Sequence, residues 1–324
     1  MNESTKLHTE GFITDEQLKA IQLYEENKPL SVHWELRTIL YLGILLLTSG
    51  ISILIYLNID TIGHQAVLAI IAAACAGCFY YTYKNRLPYS NGETNHASPF
   101  FDYIMLLGCL LFGIFIGYIQ FQYNLFGLHY GIATLIPTVL FFYCAYLFDH
   151  KGVLSLAITG LAGWVGLSVT PMQLLNNNDF SSSSFIYSAI ILGAIITATA
   201  YYCDKKSIKK DFSFTYNNFS SNMLFVATLV ALFSEPLKLL SFILLAGLCF
   251  YFIRYAIQHQ SFLFLLLSVI YGYIGITYCI FSGLDALGSA GEFTFLLGTF
   301  YLFASCGGII SFFIYYKKIL GIKK

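Results

Sequence analysis

Residues 260–281 read QSFLFLLLSVIYGYIGITYCIF, a run of 22 residues without a charged side chain. About 20 apolar helical residues, rising 1.5 Å each, cross the roughly 30 Å hydrocarbon core of a bilayer. A window of about 19 residues finds ten such segments along the chain. The sequence therefore predicts ten transmembrane helices, with eight or nine as the alternative. The ten segments are residues 38–57, 64–83, 102–121, 127–148, 152–170, 184–203, 219–234, 237–254, 260–281 and 293–316.

The composition excludes an ordinary soluble protein. Of the 324 residues, 57% are hydrophobic and 10% are charged, whereas an average soluble domain carries about 25% charged residues. The 17 Lys and Arg residues balance the 17 Asp and Glu residues, so no overall positive charge attracts nucleic acid. Aromatic residues make up 18% of the chain, which suits a bilayer and its interfaces. We expect an all-α polytopic membrane protein with lipids as partners and no nucleic-acid partner.

Basic residues mark one side of the predicted helices. With ten spans, 16 of the 17 Lys and Arg residues fall on the side of the N-terminus, and Lys238 alone falls on the other. Short positively charged loops stay in the cytoplasm, so both termini are predicted to be cytoplasmic. Tyrosine pairs such as Tyr201-Tyr202 and Tyr315-Tyr316 lie at the same ends, where an aromatic belt is expected.

Residues 1–37 precede the first predicted span and form a cytoplasmic segment of their own. Thr14 and Gln17 have the spacing of a capping box, which predicts a short helix from Asp15 to about Asn27. The apolar stripe of this helix is expected to pack against another surface. Docking onto the membrane domain of the same chain is one interpretation, and lying on lipid is another. The third is that residues 14–27 bind a cytoplasmic protein partner.

The N-terminal part resembles a known family. The motifs are GFITDEQ at residues 11–17, LGILL at 42–46, Gly50-Ile51 and LNID at 57–60, where Ile59 replaces a tryptophan. They are similar to the bacterial domain-of-unknown-function 2157 family over about the first 80 to 150 residues. The resemblance implies a polytopic protein of the bacterial cytoplasmic (inner) membrane, without an established activity.

Two parts of the chain resemble each other. IITATAYY at 195–202 aligns with IISFFIYY at 309–316, and the SIKK that follows aligns with GIKK at the same offset of 114 residues. This pattern predicts a 2+4+4 arrangement of the transmembrane domain, residues 38–324, with a parallel four-helix repeat. The parts are residues 38–101, 102–210 and 211–324. Convergent aromatic-belt chemistry is the alternative explanation.

A candidate cavity is predicted where the fourth span meets the third and the fifth. Pro137 lies near the middle of the fourth span, where it is expected to kink the helix and free backbone carbonyls. Small residues on these spans allow close approach of backbones, which indicates helix packing or a thin cavity wall. The small residues are Gly113, Gly117, Gly131, Gly160 and Gly163.

Asn58, Asp60 and His64 form a polar cluster on the side predicted to be outside. Helix capping is one interpretation, and a metal site would have to recruit further ligands. Every Asp, Glu, Lys and Arg falls at or near the end of a span, which argues against proton relays and an intramembrane carboxylate catalyst. No nucleotide-binding, zinc-protease or serine-hydrolase motif occurs. We expect no enzyme activity, no metal and no cofactor.

Two functional hypotheses follow. The first is transport of a small neutral or amphipathic molecule, or a lipid, through a cavity between the four-helix units. The second is a membrane-anchored scaffold or sensor whose N-terminal helix binds a cytoplasmic partner.

Overall fold

The computed structural model describes residues 12, 14–18, 33–92, 99–127, 130–169, 182–234, 238–286 and 292–321. All the regular secondary structure in these ranges is helical. Near the N-terminus, residues 15–18 form a helical turn closed by the predicted capping box. The Thr14 amide donates to Gln17 Oε1 (2.9 Å), and the Gln17 amide donates to Thr14 Oγ1 (3.4 Å). The rest of the predicted helix up to Asn27 lies outside the described residues.

Ten long helices follow within the described ranges. They are α1 (His33–Ile62), α2 (His64–Lys84), α3 (Pro99–Tyr123), α4 (Tyr130–Phe148), α5 (Lys151–Val169), α6 (Ser183–Lys206), α7 (Lys210–Ser234), α8 (Lys238–Gln258), α9 (Phe262–Ala286) and α10 (Glu292–Ile319).

Each helix overlaps one of the ten predicted segments, and the all-α polytopic fold is confirmed. Eight helices, α2–α6 and α8–α10, are long and apolar enough to cross a membrane. In α1 the apolar stretch is shorter, Thr38–Leu54. The exception inside the bundle is α7, which begins at Lys210 rather than at the predicted residue 219. Its first turns carry Ser, Thr, Tyr and Asn side chains, so a hydropathy window does not recognise them as part of a span.

The chain divides into two compact units, Met1–Leu54 and Ile55–Lys324, and α1 crosses the boundary. The functional features described below belong to the second unit.

Helices α2–α10 run alternately up and down. At one end, the Lys209 amide before α7 donates to the Asn91 carbonyl after α2 (3.0 Å), and the rings of Phe262 and Tyr316 are 4.8 Å apart. At the opposite end, the rings of Phe233 and Tyr278 are 4.6 Å apart. The first end, called the basic end, carries the basic residues of the described chain other than Lys238 and those of α1. They are Lys84, Arg86, Lys151, Lys205, Lys206, Lys209, Lys210, Arg254, Lys317 and Lys318.

Helix α7 lies inside the bundle, packed against α5, α6, α8 and α9. Phe225 of α7 packs on Phe252 of α8, with ring centroids 5.5 Å apart, and Phe252 stacks on Phe264 of α9. All three rings are fully buried. By contrast, only 6% of the apolar window of α10 is buried, which suits a face turned to lipid. The bundle therefore surrounds its most polar long helix with more apolar ones.

Candidate functional site

Helix α7 carries a buried polar face. Ser213, Asn217, Ser220, Ser221 and Thr228 are each at most 2% exposed. Their spacing of three, four or seven residues places them on one side of the helix, facing neighbouring helices. Polar groups at membrane depth are costly unless they are hydrogen-bonded, so such a stripe in the interior of a bundle is a candidate functional surface.

At the basic end, this face joins α7 to α6. The Ser213 hydroxyl donates to Asp204 Oδ2 at 2.8 Å. One turn further, the Asn217 side-chain amide donates to the Ser213 carbonyl at 3.1 Å. The Oδ1 atom of Asn217 is buried and accepts no hydrogen bond from any described residue. A buried acceptor without a donor costs about 1–3 kcal/mol, and such atoms in native structures call for water or a ligand.

Further hydroxyl pairs hold α7 deeper in the bundle. Thr197 of α6 donates to the Ser220 hydroxyl at 2.9 Å. The Tyr216 hydroxyl lies 2.9 Å from the hydroxyl of Tyr146 on α4, and Tyr146 meets Phe212 edge-on. Interhelical hydrogen bonds of this kind are worth about 0.6 kcal/mol each within membranes. They fix the rotation of α7 about its own axis.

An apolar cavity of about 420 Å³ lies between α5, α6 and α7. Its walls include Val165, Gly166, Ile186, Ala189 and Val226, together with the amide side chain of Asn222. The Asn222 Nδ2 group donates to the Asn218 carbonyl at 2.8 Å, and the Tyr271 hydroxyl reaches Asn222 Oδ1 at 3.5 Å. The cavity therefore combines largely apolar walls with one amide side chain, as a binding site for an amphipathic molecule requires.

A second, polar cavity of about 590 Å³ opens at the basic end between α6, α7 and α8. Lys205, Lys210 and Arg254 line it, with Asp204 as the acidic residue among its walls. Tyr255 and His259 stack with their rings 4.2 Å apart and line it as well. Three cations against one carboxylate favour an anionic group. Asn217 also lines this cavity, so the acceptor without a donor belongs to a residue of its wall.

An ion pair lies beside these elements at the basic end. Lys209, which the sequence groups with Lys205, Lys206 and Lys210, is only 2% exposed and pairs with Asp149 at 3.0 Å. In the turn that contains Asp149, His150 Nδ1 accepts the Val153 amide at 3.0 Å and so caps α5. The turn with Asp149 connects α4 to α5, and the turn with Lys209 connects α6 to α7. The ion pair between them is therefore a structural contact.

The predicted cavity residues on α3, α4 and α5 are brought together only in part. Pro137 is buried in α4 and lines neither of the two cavities described above. Gly131 and Gly160 lie at close contacts: a Cβ at Gly131 would stand 2.7 Å from Ser168 Oγ, and one at Gly160 would overlap Thr138 Oγ1. A Cβ at Gly113 would contact Phe141 at an ordinary 3.6 Å, whereas Gly117 and Gly163 face open space. The cavity beside Pro137 stays a prediction.

At the opposite end, His64 is engaged by two side chains of α3. The Gln122 side-chain amide lies 3.1 Å from His64 Nε2, and the Tyr118 hydroxyl lies 2.8 Å from His64 Nδ1. Both ring nitrogens of His64 are therefore within hydrogen-bonding distance of side chains of α3. The side chains of Asn58 and Asp60, in the last turns of α1, lie outside the described residues. No group of three His, Cys, Asp or Glu side chains in the described ranges is placed to hold a metal ion.

Sequence reasoning missed the polar face because the seventh span was started at residue 219. Asn217 therefore fell in a loop. Asn222 was the available signal, since it stands inside the predicted segment and an amide in a span marks an interior-facing position. No local sequence pattern indicated that Asn217 is buried. None indicated that one cavity is lined by Lys205, Lys210 and Arg254.

The fold and the polar interior define an all-α, multi-pass membrane protein. The protein family described as "Predicted membrane protein (DUF2157)" matches residues 5–154, the N-terminal part of the chain, and this confirms the resemblance seen there. The search of curated proteins found no match. The search of solved structures found none either. The family match ends in the first turn of α5, so α6, α7, α8 and the polar cavity lie beyond it.

Proposed function

We propose that this membrane protein binds a small amphipathic molecule, such as a lipid, inside its helix bundle and carries it from one leaflet to the other. The observation that carries the proposal is the position of Asn222, an amide side chain of α7 in the wall of a largely apolar cavity. The other polar wall residue, Ser188, donates its hydroxyl to the Phe185 carbonyl of its own helix. An amphipathic molecule needs apolar walls for its chain and hydrogen-bonding groups for its polar part.

The buried polar face of α7 supports transfer rather than static binding. Moving a headgroup through hydrocarbon is costly because its hydrogen bonds to water are lost. Asn217 lines the polar cavity and Asn222 lines the apolar one, so hydrogen-bonding side chains of one helix stand at both cavities. Both cavities are lined by α6 and α7, the helices on either side of the predicted boundary between the four-helix units at residue 210.

Lipid transfer tests the proposal directly. The full chain is reconstituted in vesicles that contain a fluorescent phospholipid, and loss of inner-leaflet fluorescence to an external quencher reports transfer. We expect transfer above that of protein-free vesicles. Ala189→Phe, which fills the apolar cavity, is expected to slow it. Ala198→Phe is the matched control, because Ala198 is exposed on the same helix and does not line the cavity.

Two results would contradict the proposal that the protein carries lipid. One is wild-type protein that transfers lipid no faster than empty vesicles. The other is equal transfer by the Ala189→Phe and Ala198→Phe variants, since the cavity would then play no part.

The scaffold hypothesis is the second candidate, and the capping box at Thr14 and Gln17 favours it. These two residues are exposed, so the helical turn that follows has a formed start and an accessible surface. A photo-crosslinking amino acid at position 17 tests this candidate. A cytoplasmic protein captured there and not from position 206 supports a partner-binding role. Capture of nothing but lipid, with transfer unchanged after deletion of residues 1–30, contradicts it.

A further inference from the structure

We infer that the polar cavity at the basic end binds the headgroup of an anionic phospholipid that carries a free hydroxyl group. The inference rests on the proposed function, because it names the class of molecule that the bundle would receive. Lys205, Lys210 and Arg254 hold the phosphodiester, and Asn217 Oδ1 accepts a hydrogen bond from the headgroup hydroxyl.

The cations of this cavity are available to a ligand. Lys205, Lys210 and Arg254 are exposed, and none of them pairs with a carboxylate within the described part of the chain. Arg254 instead lies over the ring of Phe250 on its own helix, 4.9 Å from the centroid. The carboxylate of Asp204 is occupied by the Ser213 hydroxyl. Three cations against the one carboxylate leave the wall of the cavity with a net positive charge, and a phosphate oxygen is a suitable counterpart.

Asn217 supplies the second, independent observation. It is 1% exposed and lines the cavity, and its Oδ1 atom has no donor. Its Nδ2 group already donates to the Ser213 carbonyl, which leaves the oxygen as the atom open to a ligand. A phosphate oxygen has no proton to give at neutral pH, so the ligand needs a separate donor. A hydroxyl on the headgroup fulfils this requirement.

The position of the cavity favours a lipid over a soluble anion. Tyr201, Tyr251 and Arg254 lie near the ends of helices that are apolar enough to cross a membrane. Aromatic and basic side chains at that depth meet the headgroups of a bilayer. Phe250 and Ile257 are exposed on the flank of α8, where acyl chains can pack. The volume of about 590 Å³ is in the usual range for a small-molecule site.

Native mass spectrometry of the purified full chain tests the inference with two matched lipids. Phosphatidylglycerol carries the phosphodiester and two hydroxyls, whereas phosphatidylpropanol carries the same charge and no hydroxyl. We expect wild-type protein to prefer phosphatidylglycerol. Lys205→Gln and Lys210→Gln each lower the affinity for both lipids about fivefold. Lys206→Gln is the control, because Lys206 is also exposed and does not line the cavity.

Asn217→Leu separates the hydroxyl contact from the charge. The loss of one hydrogen bond lowers affinity for phosphatidylglycerol about fivefold and leaves phosphatidylpropanol unchanged, so the preference disappears. The inference is overturned by equal binding of the two lipids to the wild type. It is also overturned if Lys206→Gln weakens binding as much as Lys205→Gln. Displacement of the lipid by glycerol phosphate at equal concentration would identify a site for a soluble phosphate ester instead.

Binding and transfer fail independently in these measurements. The Ala189→Phe variant keeps its headgroup preference if only transfer through the apolar cavity is impaired. Selective binding in a protein that transfers no lipid would refute the carrier and leave the headgroup site standing. Transfer of lipid without headgroup selectivity would refute the headgroup site and leave the carrier standing.

Discussion

Lys209 Nζ lies 3.0 Å from Asp149 Oδ1, and both side chains are almost completely buried. Asp149 sits between α4 and α5, and Lys209 sits between α6 and α7, so the pair joins two helix hairpins at the basic end. Both residues have left-handed backbones, with φ of 56° and 47°, which turns each chain sharply between its helices. The Lys209 amide also binds the Asn91 carbonyl, and its ammonium group lies over the Tyr89 ring.

Removing the lysine should therefore strongly destabilise the bundle. Lys209→Met leaves the carboxylate of Asp149 buried beside an apolar side chain, and breaking one side of a buried pair costs about 3–5 kcal/mol. The free energy of unfolding, measured in detergent micelles, reports this loss. Lys206→Met, at an exposed position three residues away, is expected to change stability by less than about 0.5 kcal/mol.

The double variant Lys209→Met/Asp149→Asn separates the two contributions. Asparagine tolerates the left-handed backbone at position 149 and removes the uncompensated charge. We expect the double variant to be more stable than Lys209→Met alone. A double variant that is less stable than either single one would show that burial of the charge is not the origin of the cost.

Lys209 also shows where sequence reasoning reaches its limit. The number and approximate position of the helices could be predicted, because a span must contain its own run of apolar residues. The placement of the basic residues on alternate turns could be predicted too, because it follows from the number and order of the spans. Which one of the four lysines between positions 205 and 210 is buried depends on Asp149, some 60 residues away in sequence. No local pattern carries that information.

Helix α7 illustrates the same limit in the candidate site. Hydropathy recognises helices that face lipid, whereas α7 is surrounded by other helices and its polar residues are bonded to them. Its first nine residues were therefore read as a loop. The close contacts at Gly131 and Gly160 fit the expected use of small residues. The apolar cavity reaches α5 around Gly166, but the rest of its wall and the whole of the polar cavity lie along α6, α7 and α8, and no proline or glycine motif indicated these helices.

The contact between α4 and α5 at Gly160 should not tolerate a side chain. A methyl group there overlaps the Thr138 hydroxyl, which is held by its own hydrogen bond to the Thr134 carbonyl at 2.7 Å. Gly160→Ala is expected to destabilise the bundle by about 1–3 kcal/mol through overpacking. Gly163→Ala is the control, because its Cβ meets open space and alanine favours the helix. Equal melting temperatures of the two variants would contradict the close packing.

The hydroxyl pair of Tyr146 and Tyr216 should behave as a coupled unit. Tyr216→Phe leaves the Tyr146 hydroxyl without its partner at 2.9 Å, and we expect a loss of about 1 kcal/mol. In the double variant with Tyr146→Phe, the second substitution should lower the unfolding free energy by less than it does alone, because no hydroxyl of the pair is left without its partner. A double-mutant cycle of unfolding free energies measures the coupling. Strict additivity would mean that the two hydroxyls do not interact.

The orientation of the bundle is open to a labelling experiment on two lysine positions at its opposite ends. Lys206 is exposed at the basic end, and Lys238 is exposed at the other, where its ammonium group donates to the Tyr278 hydroxyl. Single cysteines placed at each position in a chain without its eight native cysteines are treated with a membrane-impermeant maleimide. Positive residues are retained in the cytoplasm, so we expect Lys238→Cys to react in intact cells and Lys206→Cys only after permeabilisation. The reverse pattern would place both termini outside and put the polar cavity in the outer leaflet. Anionic lipid at that cavity would then have to come from the outer surface.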